Sequence, residues 1–195
     1  MIITYYGAYC FKLQSGENVL ALNPPSKKSS FKSPRFQADV VLVGQKEEDF
    51  NGFENISVKG KEENPFLIDG AGEYEIGKVL IEGVAFSSVG TIYIIGLENM
   101  RLCHLGSFEE KELRPEIMES AGEIDVLFVS VKTPMRVVNQ ISPKIFIPMY
   151  KDTKELNNFL KNVDKEKKTA LDKFSLKKKD IADKQEELIV LNPMI

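Results

Sequence analysis

Residues 45–50 read Gln-Lys-Glu-Glu-Asp-Phe, and this short stretch holds much of the chemistry the chain could perform. Glu47, Glu48 and Asp49 are hard oxygen ligands and Gln45 adds a carbonyl, a set that suits Mg²⁺ or Ca²⁺. Neighbouring residues of an extended loop point to opposite sides, so at most two of these groups reach one ion. The plainer alternative is a solvated acidic loop with Lys46 beside it. A second candidate pairs His104 with Ser107 as base and nucleophile. No third group stands ready to orient the imidazole, and in an extended "RLCH" Cys103 and His104 face opposite ways. A structural histidine is the competing reading. His104 is the one histidine of the chain, so the commonest transition-metal ligand and the commonest neutral-pH base are both nearly missing.

These residues need elements to hold them. "DVVLV" (residues 39–43) is a short β-branched apolar run that reads as a buried strand, and it delivers the polar loop at its C-terminal end, where α/β proteins commonly keep their chemistry. Upstream, "MIITYYG", "AYCFKLQ" and "VLALN" read as strands around the turn Ser15-Gly16-Glu17-Asn18, followed by Pro24-Pro25 and a Ser/Lys-rich loop from Ser26 to Ser33. Tyr5, Tyr6, Tyr9 and Phe11 then belong to the core and rim of a sheet. Downstream, "NISVKG", "NPFLIDG", "KVLIEGVAF", "GTIYIIGL" and "RLCHLGS" continue the strand pattern. Gly70-Ala71-Gly72 precedes a strand and lacks the third glycine of a dinucleotide loop and the Gly-Lys-Ser/Thr of a phosphate loop, so it is a turn.

Helical spacing enters late. "FEEKELRPEIMESAG" reads as a short helical or turn-rich stretch interrupted by Pro115, "TPMRVVNQIS" as a helix, and Lys151–Val163 as an amphipathic helix with Leu156, Phe159, Leu160 and Val163 on one face. "EIDVLFVSV" and "PKIFIPMY" are fully apolar strands, and "KFSLKKKDI" and "EELIVLNP" close the chain as two more. Strands alternating with short helices define an α/β protein with a large mixed or antiparallel component.

Composition bounds the function. The chain has 195 residues, 43% hydrophobic and 28% charged, which fits one globular domain spanning residues 1–195. A net charge of −3 gives no general attraction to nucleic acid or to an anionic membrane, and the lysines from Lys161 to Lys184 are interleaved with acidic residues as on a solvated face. No apolar run approaches the ~18 residues that span a bilayer, and the N-terminal stretch lacks a signal-peptide pattern, so a cytoplasmic location is expected. Cys10 and Cys103 sit in apolar runs and read as free buried thiols.

Taken in order, "ITYYGAYCFKL…VLALNPP", "ADVVLVGQKEEDFN", "PFLIDGAGEYEIGKVLIEGV", "TIYIIGLENMRLCHLG", "EIDVLFVSV" and "SPKIFIPMY" resemble the small bacterial metallo-β-lactamase-fold hydrolases, and are most similar to the branch that includes the ascorbate-6-phosphate lactonase-like proteins. The resemblance implies a metallo-β-lactamase-like αββα sandwich of two mixed β-sheets with outer helices, and a zinc site in loops at one edge of the sheets. In that family the strand matching "DVVLV" ends in Ser/Thr-His-x-His-x-Asp-His, whose side chains bind two ions that activate a bridging water.

Residue by residue, the motif fails here. Its first histidine is Gln45, its second Glu47, its last Phe50; Asp49 alone is kept. A further family histidine falls in a loop that is here cut to Ser87-Ser88-Val89-Gly90. The bridging aspartate corresponds to Ser107 and the final histidine to Tyr150, while the early Gly-His is Gly7-Ala8 and the aspartate of an "IDP" turn is Asn23. His104 matches a family position that is not a principal ligand. The expectation is a protein without a cofactor, whose old cavity is filled by Phe50 and which serves as a binding, scaffold or regulatory protein. A protein partner and a homo-oligomer stay open. The alternative is an active hydrolase of esters, lactones or phosphodiesters, using metal at Gln45, Glu47 and Asp49 or a metal-free mechanism around His104 and Ser107.

Overall fold

The apolar runs become two mixed β-sheets that face one another. The computed structural model of the protein describes residues 1–60, 63–163 and 169–194. The chain begins with an antiparallel meander of β1 (Ile2–Tyr5), β2 (Phe11–Ser15) and β3 (Asn18–Leu22). β4 (Phe36–Gln37) and β6 (Ile56–Ser57) pair with each other as a small parallel sheet, while β5 (Val40–Leu42) and β7 (Phe66–Ile68) extend the first sheet in parallel beyond β3. In β2, Phe11 and Leu13 are buried and Lys12 and Gln14 half-buried, the alternation of a sheet with one face toward the core.

The second sheet opens antiparallel with β8 (Gly72–Ile76), β9 (Val79–Ala85), β10 (Thr91–Leu97) and β11 (Met100–His104). It turns parallel through β12 (Val126–Ser130) and β13 (Ile145–Met149), joined by α1 (Pro115–Ala121) and α2 (Met135–Ile141). After α3 (Thr153–Asn162) the chain returns to the first sheet as β14 (Phe174–Ser175) beside β1, then crosses back as β15 (Glu187–Leu188) beside β13. Every residue of β12 and β13 is buried, as expected of parallel strands covered on both faces. The two sheets meet through rings such as Phe11 and Phe128, whose centroids are 4.5 Å apart.

This is the α/β sandwich expected, and its layers can be specified further. All three α-helices of the described residues fall in connections made after β11, whereas the outer face of the first sheet is covered by β4 and β6 through a small cluster of Ala21, Ala38, Val41, Val43 and Ile56. Pro115 does not interrupt a helix but starts one: at the first helical position its missing N–H costs nothing, because that donor has no intrahelical partner anyway. "KFSLKKKDI" yields only the two residues of β14; Lys178–Ile181 is a 3₁₀ turn, with the Asp180 carboxylate accepting the Lys177 N–H at 2.9 Å. Within the lysine-rich stretch, residues 164–168 lie outside the described residues. Cys10 and Cys103 are free and buried, and burial pushes the Cys103 thiol up to about 12.

Candidate functional site

The loop after β5 is pinned at both ends by glycines in close contact with neighbouring backbone. Gly44 donates its N–H to Asn23 Oδ1 at 2.6 Å and its carbonyl accepts the Thr91 N–H at 2.8 Å, and a Cβ at this position would lie 2.9 Å from the Thr91 carbonyl oxygen. Gly52 donates to the Pro24 carbonyl at 2.6 Å, where a Cβ would lie 2.1 Å from the Pro25 oxygen. Between them the Ser26 N–H bonds the Glu48 carbonyl at 2.8 Å and the Ser26 hydroxyl bonds the Glu48 carboxylate. The Ser/Lys-rich loop therefore lies along residues 45–51 and fixes their course.

Each candidate residue has a definite place. Gln45 is half-buried and its Oε1 accepts the Ser107 hydroxyl at 2.5 Å, so the structure brings these two together. Glu47 is exposed, and its carbonyl closes a turn with the Phe50 N–H at 2.9 Å. Asp49 is half-buried; one oxygen accepts the Ser29 hydroxyl at 2.6 Å and the other lies 3.9 Å from Lys151 Nζ. Phe50 is only 6% exposed and stacks on Tyr9, with centroids 4.5 Å apart and rings inclined by 24°. Tyr150 donates its hydroxyl to the Leu191 carbonyl at 2.7 Å. Its backbone is held as well, its N–H donating to the Tyr5 hydroxyl at 2.8 Å. Between Tyr9, Ser130, Lys132, Tyr150 and Glu155 the remaining crevice is too narrow to admit water.

His104 and Ser107 do not form a pair. His104 is buried; its Nε2 faces the Tyr9 carbonyl at 3.0 Å and must donate, while Nδ1 accepts the Gly106 N–H at 3.1 Å and lies 3.3 Å from Asn23 Nδ2. Both nitrogens are thus used in holding the N-terminal hairpin, the Asn23 turn and the end of β11 in register. Burial pushes the imidazole down to about 4, against the opposing pull of the Tyr9 carbonyl, so His104 is neutral near pH 7.

Tyr9, Ser29 and Lys151 escape a reading of the sequence, because their contacts with the loop span long separations that no local spacing marks. Asn23 left a trace, as the residue at the aspartate position of the resembled turn. Tyr9 also sits near the carboxylates of Glu109, Glu155 and Asp49; burial first, then these charges, push its hydroxyl up to about 12.

The chain belongs to the β-lactamase superfamily: the family model described as a β-lactamase superfamily domain matches residues 2–150. Among solved structures it is similar to a candidate Zn-dependent hydrolase of the metallo-β-lactamase superfamily from Thermotoga maritima, at 25% identity over 97% of each chain with a TM-score of 0.77. It shares its fold with a candidate metal-dependent hydrolase from Parabacteroides distasonis, at 18% identity over 97% of this chain and 93% of that one, TM-score 0.61. The fold is also that of Igni18, a metallo hydrolase from Ignicoccus hospitalis, at 16% identity over 98% of this chain and 95% of that one, TM-score 0.58. No curated protein matches the chain.

The superfamily implies a zinc site, and the side chains present do not fit one. Among the described residues no three His, Cys, Asp or Glu side chains gather where they could hold one ion. At the loop itself, Gln45 and Asp49 already accept hydrogen bonds, Phe50 supplies no donor atom, and the Tyr150 oxygen is bonded elsewhere. No helix among the described residues is long and apolar enough to cross a membrane.

Proposed function

We propose that this protein keeps the metallo-β-lactamase scaffold as a binding or regulatory protein and does not carry out metal-dependent hydrolysis. One observation carries the reading: apart from the exposed Glu47, the residues the motif matches around the loop are bonded or packed within the protein, Gln45 with Ser107, Phe50 with Tyr9, Tyr150 with Leu191 and Asp49 with Ser29. Among the described residues no three His, Cys, Asp or Glu side chains converge on a shared point, and where the motif has its last histidine the Phe50 ring stacks on Tyr9. Buried polar groups that satisfy one another are a stable end state for a cleft without an ion.

The test is elemental analysis of the purified protein after incubation with Zn²⁺ and Mn²⁺, followed by assays on ester, lactone and phosphodiester substrates. The expected result is well under one metal per chain and no turnover above the buffer rate. Stoichiometric metal together with turnover that vanishes in Asp49→Ala would establish the alternative, an active hydrolase with an atypical centre.

A further inference from the structure

The outer face of the second sheet changes character along its width. Its parallel half is buried on both sides, but on β8 and β9 the outward side chains are left partly bare: Leu80 is 58% exposed and Glu73 and Glu75 are exposed. Cross-strand register sets them in two rows. Glu73 stands opposite Glu82, which stands opposite Ile94; Glu75 stands opposite Leu80, which stands opposite Gly96, itself opposite Arg101. Gly96 contributes no side chain, so Leu80 and Ile94 floor a hollow of about 430 Å³ with the carboxylates on its rim.

The charges of this hollow do not cancel. Arg101 lies 3.6 Å from Glu82, but its guanidinium also donates to the Ala121 carbonyl at 2.6 Å and to the Ser120 carbonyl, which holds it toward α1. Among the described residues Glu73 and Glu75 have no cation within ion-pair distance. Glu73 and Glu82 are like charges directly opposite each other, an arrangement that weakens a sheet. Among the described residues β8 is moreover the last strand of its sheet, with Tyr74 and Ile76 packed on the core and no strand paired to its outer edge. A second copy of the chain is a poor occupant: antiparallel pairing of β8 with itself about Tyr74 would set Glu73 against Glu75 of the other copy.

We propose that this face binds an extended segment of another protein, which adds to the edge of β8 and carries lysine or arginine toward Glu73, Glu75 and Glu82 and aliphatic carbons over Leu80. Main-chain pairing supplies affinity in this mode, and alternate side chains supply the selection. The surface lies toward the Leu97–Met100 end of the β10–β11 hairpin, away from the end where Thr91 meets Gly44 and His104 meets Tyr9. The inference therefore goes beyond the reading of the loop after β5 and stands independently of it.

The experiment uses the full chain, labelled with ¹⁵N, and two synthetic peptides of about seven residues, one alternating lysine with valine and one alternating glutamate with valine. The lysine peptide is expected to shift the amide resonances of β8 and β9, with affinity that falls as salt rises. In the double variant Glu73→Lys/Glu75→Lys it is expected to bind roughly tenfold more weakly, while the glutamate peptide now binds. Gain of the second peptide shows that the variant is folded. The proposal is overturned if the lysine peptide does not bind, if both peptides bind the unaltered protein equally, if the shifts map away from β8 and β9, or if the free protein dimerises through β8.

Discussion

The Ser107 hydroxyl donates to Gln45 Oε1 across 2.5 Å, joining the turn after β11 to the loop after β5. In the resembled hydrolases these two positions carry a bridging aspartate and the first histidine of the motif. Here a neutral donor meets a neutral acceptor, and the two loops are stitched directly. Ser107→Ala is expected to cost about 1 kcal/mol, the net worth of one partly buried hydrogen bond, read as a lower urea midpoint at an unchanged slope.

Phe50 stabilises the loop through its buried ring. It is 6% exposed against Tyr9, so Phe50→Ala removes its packing and leaves a void, with an expected cost of about 3–4 kcal/mol. Glu47→Ala, three residues earlier on an exposed side chain, is expected to stay within about 0.5 kcal/mol. Equal losses in the two variants would contradict the filled cleft.

His104 gives the protein a pH dependence of definite sign. In the fold burial pushes it down to about 4, whereas in an unfolded chain histidine titrates near ~6.5. Above both values neither state binds the proton and this group leaves stability flat. Between them only the unfolded chain binds it, so stability falls as the pH drops from about 6.5 toward 4, by about 3 kcal/mol in all. Urea midpoints measured from about pH 7 to 5.5, before most carboxylates titrate, should show this slope in the native protein and its loss in His104→Gln.

Gly52 is held against the Pro24-Pro25 segment by its N–H bond to the Pro24 carbonyl and leaves no room there for a side chain. A Cβ would sit 2.1 Å from the Pro25 carbonyl oxygen, and that oxygen belongs to backbone, which cannot swing aside. Gly52→Ala is expected to lower stability by about 2–3 kcal/mol in thermal or urea unfolding, whereas Gly60→Ala meets no atom within 4 Å and is strained only by its positive φ of 68°.

Much of this architecture is legible in the chain, and the remainder is not, for a physical reason. Period-two alternation in "FKLQS" and unbroken apolar runs in "VLFVS" and "IFIPM" mark strands with one or two covered faces, because burial acts on neighbouring residues in register. The spacing of Leu156, Phe159 and Leu160 marks α3 in the same way. Residue type spoke clearly at one ligand position, since phenylalanine cannot coordinate, but left Gln45, Glu47 and Asp49 open, because their oxygens can. Phe50 was legible as a filler of apolar volume, but its partners were not, since Tyr9 meets Phe50, Ser29 meets Asp49 and Tyr150 meets Leu191 across separations that only the folded chain brings together. Pro115 was legible as a punctuation mark but ambiguous in direction, as proline both ends and begins helices.

The Tyr150 hydroxyl on the Leu191 carbonyl has a consequence for how such a chain could change. A histidine placed at 150 would release the segment around Leu191, one at 50 would empty the space beside Tyr9, and an aspartate at 107 would break the stitch to Gln45. Each exchange taken singly loses a contact before any ion could replace it. At these three positions single substitutions toward a metal-bearing sequence descend into a valley in stability, so the contacts made there are self-locking, whereas the exposed Glu47 has no such contact to lose.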